Sequence, residues 1–188
     1  YDSTLYINAA QGMVEHQQFA TIDASGDIYP VTLRLPGYPL FLALTHNIGG
    51  IPLNGIVLLQ IVLTILAALL TFKALQSVFP SLAVFCCLFI LFDPPITIYS
   101  MMLLSESLSL LVMTLFFFTF IRYLKRQTWT PLILSALLLA AATYIRPVSL
   151  YLGMGLAGFL FFVFRQKQWK QILVFLCCLH ERSIAHLL

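Results

Sequence analysis

Four charged side chains stand where a chain this apolar has few: Asp2, Arg34, Glu106 and Arg146 each flank or interrupt a hydrophobic run. An ionised group at hydrocarbon depth costs several kcal/mol unless a partner or a polar cavity receives it. Glu106, in Ser105-Glu106-Ser107 at the head of a long apolar stretch, therefore admits two chemistries. It is half of a buried pair with Arg146, or it faces an outer polar pocket where it orients a substrate or binds a cation. Arg146, just before Pro147, has a planar guanidinium that can pair with an acid or hold a phosphate. Arg34 has the same two options. Asp93, followed by Pro94 and Pro95, reads as the cap of a broken helix. His16, His46, His180 and His186 show no metal-ligand spacing. The cysteines form two adjacent pairs, Cys86-Cys87 and Cys177-Cys178, rather than a C-x-x-C motif, and read as apolar filler. No phosphate-cradling glycine loop and no Ser/His/Asp set is identifiable, which argues against an enzyme working on soluble nucleotides.

The elements that must position these groups are membrane helices. Of 188 residues, 61% are hydrophobic and 9% charged, and the mean hydropathy is +0.96. Soluble domains carry roughly 25% charged residues, so this is an integral membrane protein, neither disordered nor a disulfide-stapled secreted module. A net charge of +3 is too small to argue for nucleic acid. A spanning helix needs about 20 mostly apolar residues. Residues 51–72, 82–99 (broken at Asp93-Pro94-Pro95), 103–121, 131–145 and 148–164 qualify or nearly do. A sixth run begins near Gln171, and residues 38–44 suit an interfacial or re-entrant piece. The runs are too long and unalternating for barrel strands, so the expected fold is all-α: a polytopic transmembrane helix bundle in one domain, residues 1–188. Residues 1–50 form its outer loop and residues 51–188 its five to six spans. The chain begins at Tyr1 without a basic n-region and its last apolar run, residues 172–179, is short. It reads as an internal piece of a larger protein, expected to be inactive alone.

Charge placement orients the bundle. Lys73, the cluster Arg122, Lys125 and Arg126, and the cluster Arg165, Lys167 and Lys170 occupy alternate loops, and cytoplasmic loops collect Lys and Arg. The opposite side receives the acids Asp2, Glu15, Asp23, Asp27, Asp93, Glu106 and Glu181. Within the outer loop, Asp2-Ser3-Thr4 suits a helix start. Leu5, Ala9 and Met13, with Tyr6 and Val14, recur at helical spacing, while Asn8, Gln11 and Glu15 face elsewhere. That pattern describes an amphipathic helix lying along the outer membrane surface. Pro36, Gly37 and Pro39 then force a bend that holds Arg34 at the membrane edge. Asp2, Arg34, Glu106 and Arg146 thus converge on one face at one depth.

The order of these segments carries a resemblance. Asp2-Ser-Thr-Leu-Tyr6 with Ala9-Ala10 comes first, then Arg34-Leu-Pro-Gly-Tyr-Pro-Leu-Phe-Leu42. Leu104-Ser-Glu-Ser-Leu108 follows two spans later, and Tyr144-Ile-Arg-Pro147 after it. This series resembles the GT-C superfamily of polytopic glycosyltransferases, in the bacterial group of protein O-mannosyltransferases and aminoarabinose transferases. The resemblance implies transfer of a sugar, with inversion, from a polyprenyl-phosphate donor to a lipid, glycan or protein acceptor on the outer face of a bacterial inner membrane. It implies catalytic roles for Asp2, as base toward the acceptor hydroxyl, and for Glu106, where the family commonly has aspartate. Arg34 and Arg146, with Tyr6 and Tyr38, become the substrate- and phosphate-binding candidates, the arginines neutralising the leaving phosphate. The family often has a second acid beside the first, where this chain has Ser3. No metal site is implied, with a divalent cation the one cofactor the acids could hold; the partners are the lipid-linked donor, its acceptor and membrane lipids, with no nucleic acid. Two competing readings are a transporter or flippase of lipid-linked sugars, which should carry polar groups near the midplane, and a non-catalytic membrane subunit. Thr64 and Ser135 are the main deep polar residues, and neither forms a path.

Overall fold

The computed structural model describes residues 2–22, 28–31, 34–76 and 79–163. Tyr1, Asp23, Asp27, the cluster Arg165, Lys167 and Lys170, and the sixth apolar run with Cys177, Cys178, His180, Glu181 and His186 lie outside the described residues. Helix α1 covers Asp2–Glu15. Two short strands follow, β1 (Ala20–Ile22) and β2 (Ile28–Pro30), paired antiparallel with Thr21 opposite Tyr29. Helix α2 (Gly37–Leu42) runs directly into a π-helical turn, Ala43–Ile48. The bundle proper is α3 (Leu53–Leu75), α4 (Pro80–Phe92), α5 (Pro94–Ser100), α6 (Glu106–Arg126), α7 (Trp129–Ile145) and α8 (Val148–Val163). Apart from the ribbon and the short connections the described chain is helical, as expected of a backbone that must satisfy itself in lipid.

Helices α3 and α6 are each long and apolar enough to cross a membrane, and α4 with α5 forms a third candidate bent by 52°. At 17 residues α7 is an apolar helix shorter than those spans. The bend has a local cause. Asp93 Oδ2 accepts from the Ile96 N–H at 3.2 Å, capping α5, while Pro94 and Pro95 at its first turn have no N–H to continue α4.

Helix α6 is central, packed against α3 and α7. The buried stripe of α3, Ile56, Gln60, Thr64, Ala67 and Ala68, repeats every three to four residues, one helical face. Small buried residues dominate it, as they do on α7 at Ser135, Ala136, Ala140 and Ala142. Lipid is as apolar as Leu, so helices associate through close packing of small side chains rather than by hiding large ones. The large ones accordingly face outward: Leu58, Phe85, Phe89 and Phe92 are all exposed. Thr64 and Ser135 bond the carbonyls of Gln60 and Leu132 in their own helices and form no polar path.

The outer helix buries most of the face its spacing suggested, but not its edges. Tyr6, Ala9 and Ala10 are buried and Met13 partly so, whereas Leu5 and Val14 are exposed. The reason is the neighbour: α2 approaches α1 through Tyr38 and Leu42, and a tyrosine flanked by alanines fits that approach more closely than Leu5 would.

Candidate functional site

The site is assembled by two close approaches. At α2, a Cβ on Gly37 would fall 2.6 Å from the Tyr144 carbonyl oxygen. Only glycine lets this helix rest against the last turn of α7, two residues before Arg146. At α3, the Gln60 amide donates to the Leu104 carbonyl at 2.7 Å, tying the buried face of that helix to the segment that delivers Glu106. Leu103, Leu104 and Leu108 pack on the buried group formed by Tyr6, Ala10, Tyr38, Leu42, Ala43 and Ile56. The Pro-Gly-Tyr bend and the head of α6 are therefore one packed unit.

Within that unit the expected residues fall into two sets. In the first, the Arg34 guanidinium lies 5.5 Å from the Tyr6 ring centroid, a cation–π contact. Tyr6 meets Tyr38 edge to face at 4.9 Å, and Tyr38 stacks on Phe41 at 5.9 Å. In the second, Arg146 Nη1 stands 3.4 Å from Glu106 Oε1. The pairing of Glu106 with Arg146 thus forms, but not as a buried pair: the side chains are 45% exposed for Arg146 and 28% for Glu106. A pair this open contributes about 0–1 kcal/mol, so its partners can be exchanged at little cost to the fold. Asp2 opens α1, one helical turn before Tyr6.

Three buried oxygens connect the two sets. Tyr38 Oη, Gln60 Oε1 and Glu106 Oε2 have no hydrogen-bond partner among the described residues. Tyr38, in the short α2 outside the spanning helices, is held in its neutral form well above the ordinary tyrosine range. Burial contributes most, then the charges of Tyr6 and Glu106, with the Gln60 side chain working the other way. Glu106 therefore presents one oxygen to Arg146 and turns the other toward the interior. Gln60 was not singled out by sequence reasoning. Its signal was an amide in the middle of a long apolar run, at the spacing of that helix's small residues.

Glu106 and Arg146 also line a half-open cavity of about 300 Å³, together with Ser107, Ser109, Tyr99 and Met113. The mix of an ion pair, three hydroxyls and apolar walls suits a polar, charged ligand bearing an apolar chain. Asp93 is occupied as the α5 cap, and His46 Nδ1 lies 2.7 Å from the Ile51 carbonyl oxygen across the turn into α3. Among the described residues no three His, Cys, Asp or Glu side chains come together as a metal site.

The family model for dolichyl-phosphate-mannose-protein mannosyltransferase matches residues 33–180, which takes in Arg34, Tyr38, Glu106 and Arg146 and starts after Asp2 and Tyr6. No curated protein and no solved structure matches the chain. With most of its length matched, and with the apolar helices that such an enzyme requires, the chain belongs to the dolichyl-phosphate-mannose-protein mannosyltransferase family, membrane glycosyltransferases that draw on a lipid-linked sugar donor.

Proposed function

We propose that the cavity at the head of α6 receives the phosphate-linked sugar of a polyprenyl-phosphate donor and that the transfer occurs on the outer face of a bacterial inner membrane. The observation that carries this reading is the half-exposed Glu106–Arg146 pair on the cavity wall. A guanidinium bound weakly by one carboxylate oxygen can exchange that partner for a phosphate oxygen, and it gains from the bidentate fit. When the donor binds, Arg146 turns to its phosphate and Glu106 Oε1 is released to meet the sugar or the acceptor. The acceptor hydroxyl attacks the anomeric carbon, the bond from that carbon to the phosphate oxygen breaks, and the configuration inverts. The acceptor proton passes to a carboxylate, for which Asp2 is the assigned base, and the polyprenyl phosphate leaves with the bonding electron pair. Arg146, with Arg34 held over Tyr6, neutralises the charge that builds on the leaving phosphate. Tyr6 and Tyr38 hold Arg34 and the inner side of the site in register.

Membranes containing the protein, supplied with a panel of polyprenyl-phosphate sugars, test this by donor consumption. Arg146→Gln should lower the rate by about a hundredfold or more, as loss of a charge-stabilising donor does elsewhere. Asp2→Asn should lower it on the order of 10²–10⁴-fold, the usual worth of a general base. If no donor is consumed, or if both variants match the unmodified protein, the assignment fails. A donor that crosses the membrane intact would put the transport reading in its place.

A further inference from the structure

The far end of the bundle carries a second polar pocket that sugar transfer does not use. Lys73 lies in the last turn of α3 and Lys125 in the last turn of α6, with Arg122 three residues before Lys125, on the same helical face. These three cations and Gln76 line one cavity of about 280 Å³, whose remaining wall includes Phe118 and Ile121. The Arg122 guanidinium is 5.3 Å from the Phe118 ring centroid, which braces it against the apolar side. Among the described residues no acid lines the pocket. Glu106 is 19 residues away along the same helix, a rise of about 28 Å.

Ordinary effects account for positive charge at this end. Helix C-termini favour cations, and topology gathers Lys and Arg on one side of a membrane. Neither effect requires cations from two helices to converge on a single cavity. Nor does either require a cavity whose wall is half aromatic and aliphatic. An anionic group with an apolar continuation answers both features, and the ends of spanning helices lie at headgroup depth. We infer that Lys73, Arg122 and Lys125 bind the phosphate of an anionic phospholipid headgroup, whose acyl chain lies along Phe118 and Ile121. The site depends on the chain's membrane placement and is independent of the transfer reaction.

The test is lipid binding by the full chain in detergent, followed by native mass spectrometry with phosphatidylglycerol, with phosphatidylcholine and with inorganic phosphate. Each cation near an anionic lipid contributes about 1 kcal/mol, so Lys73→Gln and Lys125→Gln should each weaken phosphatidylglycerol binding about fivefold. Both side chains are exposed, and circular dichroism would verify that the variants keep their helicity. Arg126→Gln removes the same charge from the same helix end but does not line this pocket, and it should leave binding nearly unchanged. Equal binding of phosphatidylcholine overturns the inference, as does an equal loss in Arg126→Gln, which would indicate diffuse attraction. Inorganic phosphate occupying the site as well as phosphatidylglycerol does would overturn the lipid assignment.

Discussion

Gln60 is fully buried, holds the Leu104 carbonyl through one end of its amide, and leaves the other end, beside Tyr38, without a partner among the described residues. Gln60→Leu should cost about 1–3 kcal/mol, because the Leu104 carbonyl loses its donor in a site that water cannot easily reach. It should also lower donor consumption by shifting the segment that presents Glu106. Thr64→Val is the control: it removes a hydroxyl one turn further along, bonded only to its own helix. If the two variants lose stability and activity in the same proportion, Gln60 is only a packing residue. Tyr38 gives a pH signature with a defined sign. Its phenol ionises at higher pH in the folded protein than in the unfolded chain, where the value is about 10. Below that value both states keep the proton and the shift is silent. As pH rises past it, the unfolded chain sheds the proton first, so stability falls. Thermal midpoints taken from pH 9 to 11 should drop less steeply in Tyr38→Phe, and an unchanged slope would mean that burial does not hold the proton. Charged residues such as Glu106 and Arg146 were legible in the sequence because a charge in an apolar run demands a reason. Gln60 carries no charge and breaks no period, so its only mark in the sequence is an amide within an apolar run.

At the scale of elements, the limits of most spans follow from where apolar runs meet Pro or charge, and the broken span is written in Asp93-Pro94-Pro95. Asp93→Ala should cost about 1 kcal/mol as a lost helix cap and leave donor consumption intact, whereas a collapse of activity would draw Asp93 into the site. Other features could not be read. The strands β1 and β2 are three residues each, too short to show alternation. The π-helical turn after α2 has no composition of its own. That Leu5 and Val14 at the edges of the α1 face stay exposed is decided by what α2 presents to it, a tertiary fact that periodicity does not contain. Gly37 is the element-scale hinge of the site, because it sets the distance between α2 and the end of α7. Gly37→Ala places a methyl group against backbone, which cannot yield as a flexible side chain would. It should cost about 1–3 kcal/mol by overpacking and displace Arg146 as well. Gly158→Ala is the comparison, since a Cβ there meets nothing within 4 Å. Similar melting and similar activity for the two variants would remove Gly37 from the account of the site.

For the whole molecule, the two ends of the bundle differ in charge and in chemistry. One end gathers Glu106, Arg146, Arg34 and the head of α1; the other gathers Lys73, Arg122, Lys125 and Arg126 around pockets of their own. A membrane makes that polarity functional, because only one end can face the compartment that holds the acceptor. Positive charge resists translocation, so the end with four cations should be cytoplasmic and the Glu106 cavity should open outward. Two exposed connections mark the ends. Thr128 lies between α6 and α7, and Val148 begins α8 next to Arg146. Cysteine placed at each position and probed with a membrane-impermeant thiol reagent reads the orientation directly, in a background where Cys86, Cys87, Cys177 and Cys178 are changed to Ala. Val148→Cys should label in intact cells and Thr128→Cys only after the membrane is opened. The reverse pattern would turn the cavity inward, and transfer from a lipid-linked donor would then have to meet an acceptor in the cytoplasm. Labelling of both from outside would mean that α7 does not cross. At 17 residues α7 is short for a helix that must separate the two ends, and the bilayer would have to thin around it for the bundle to hold its place.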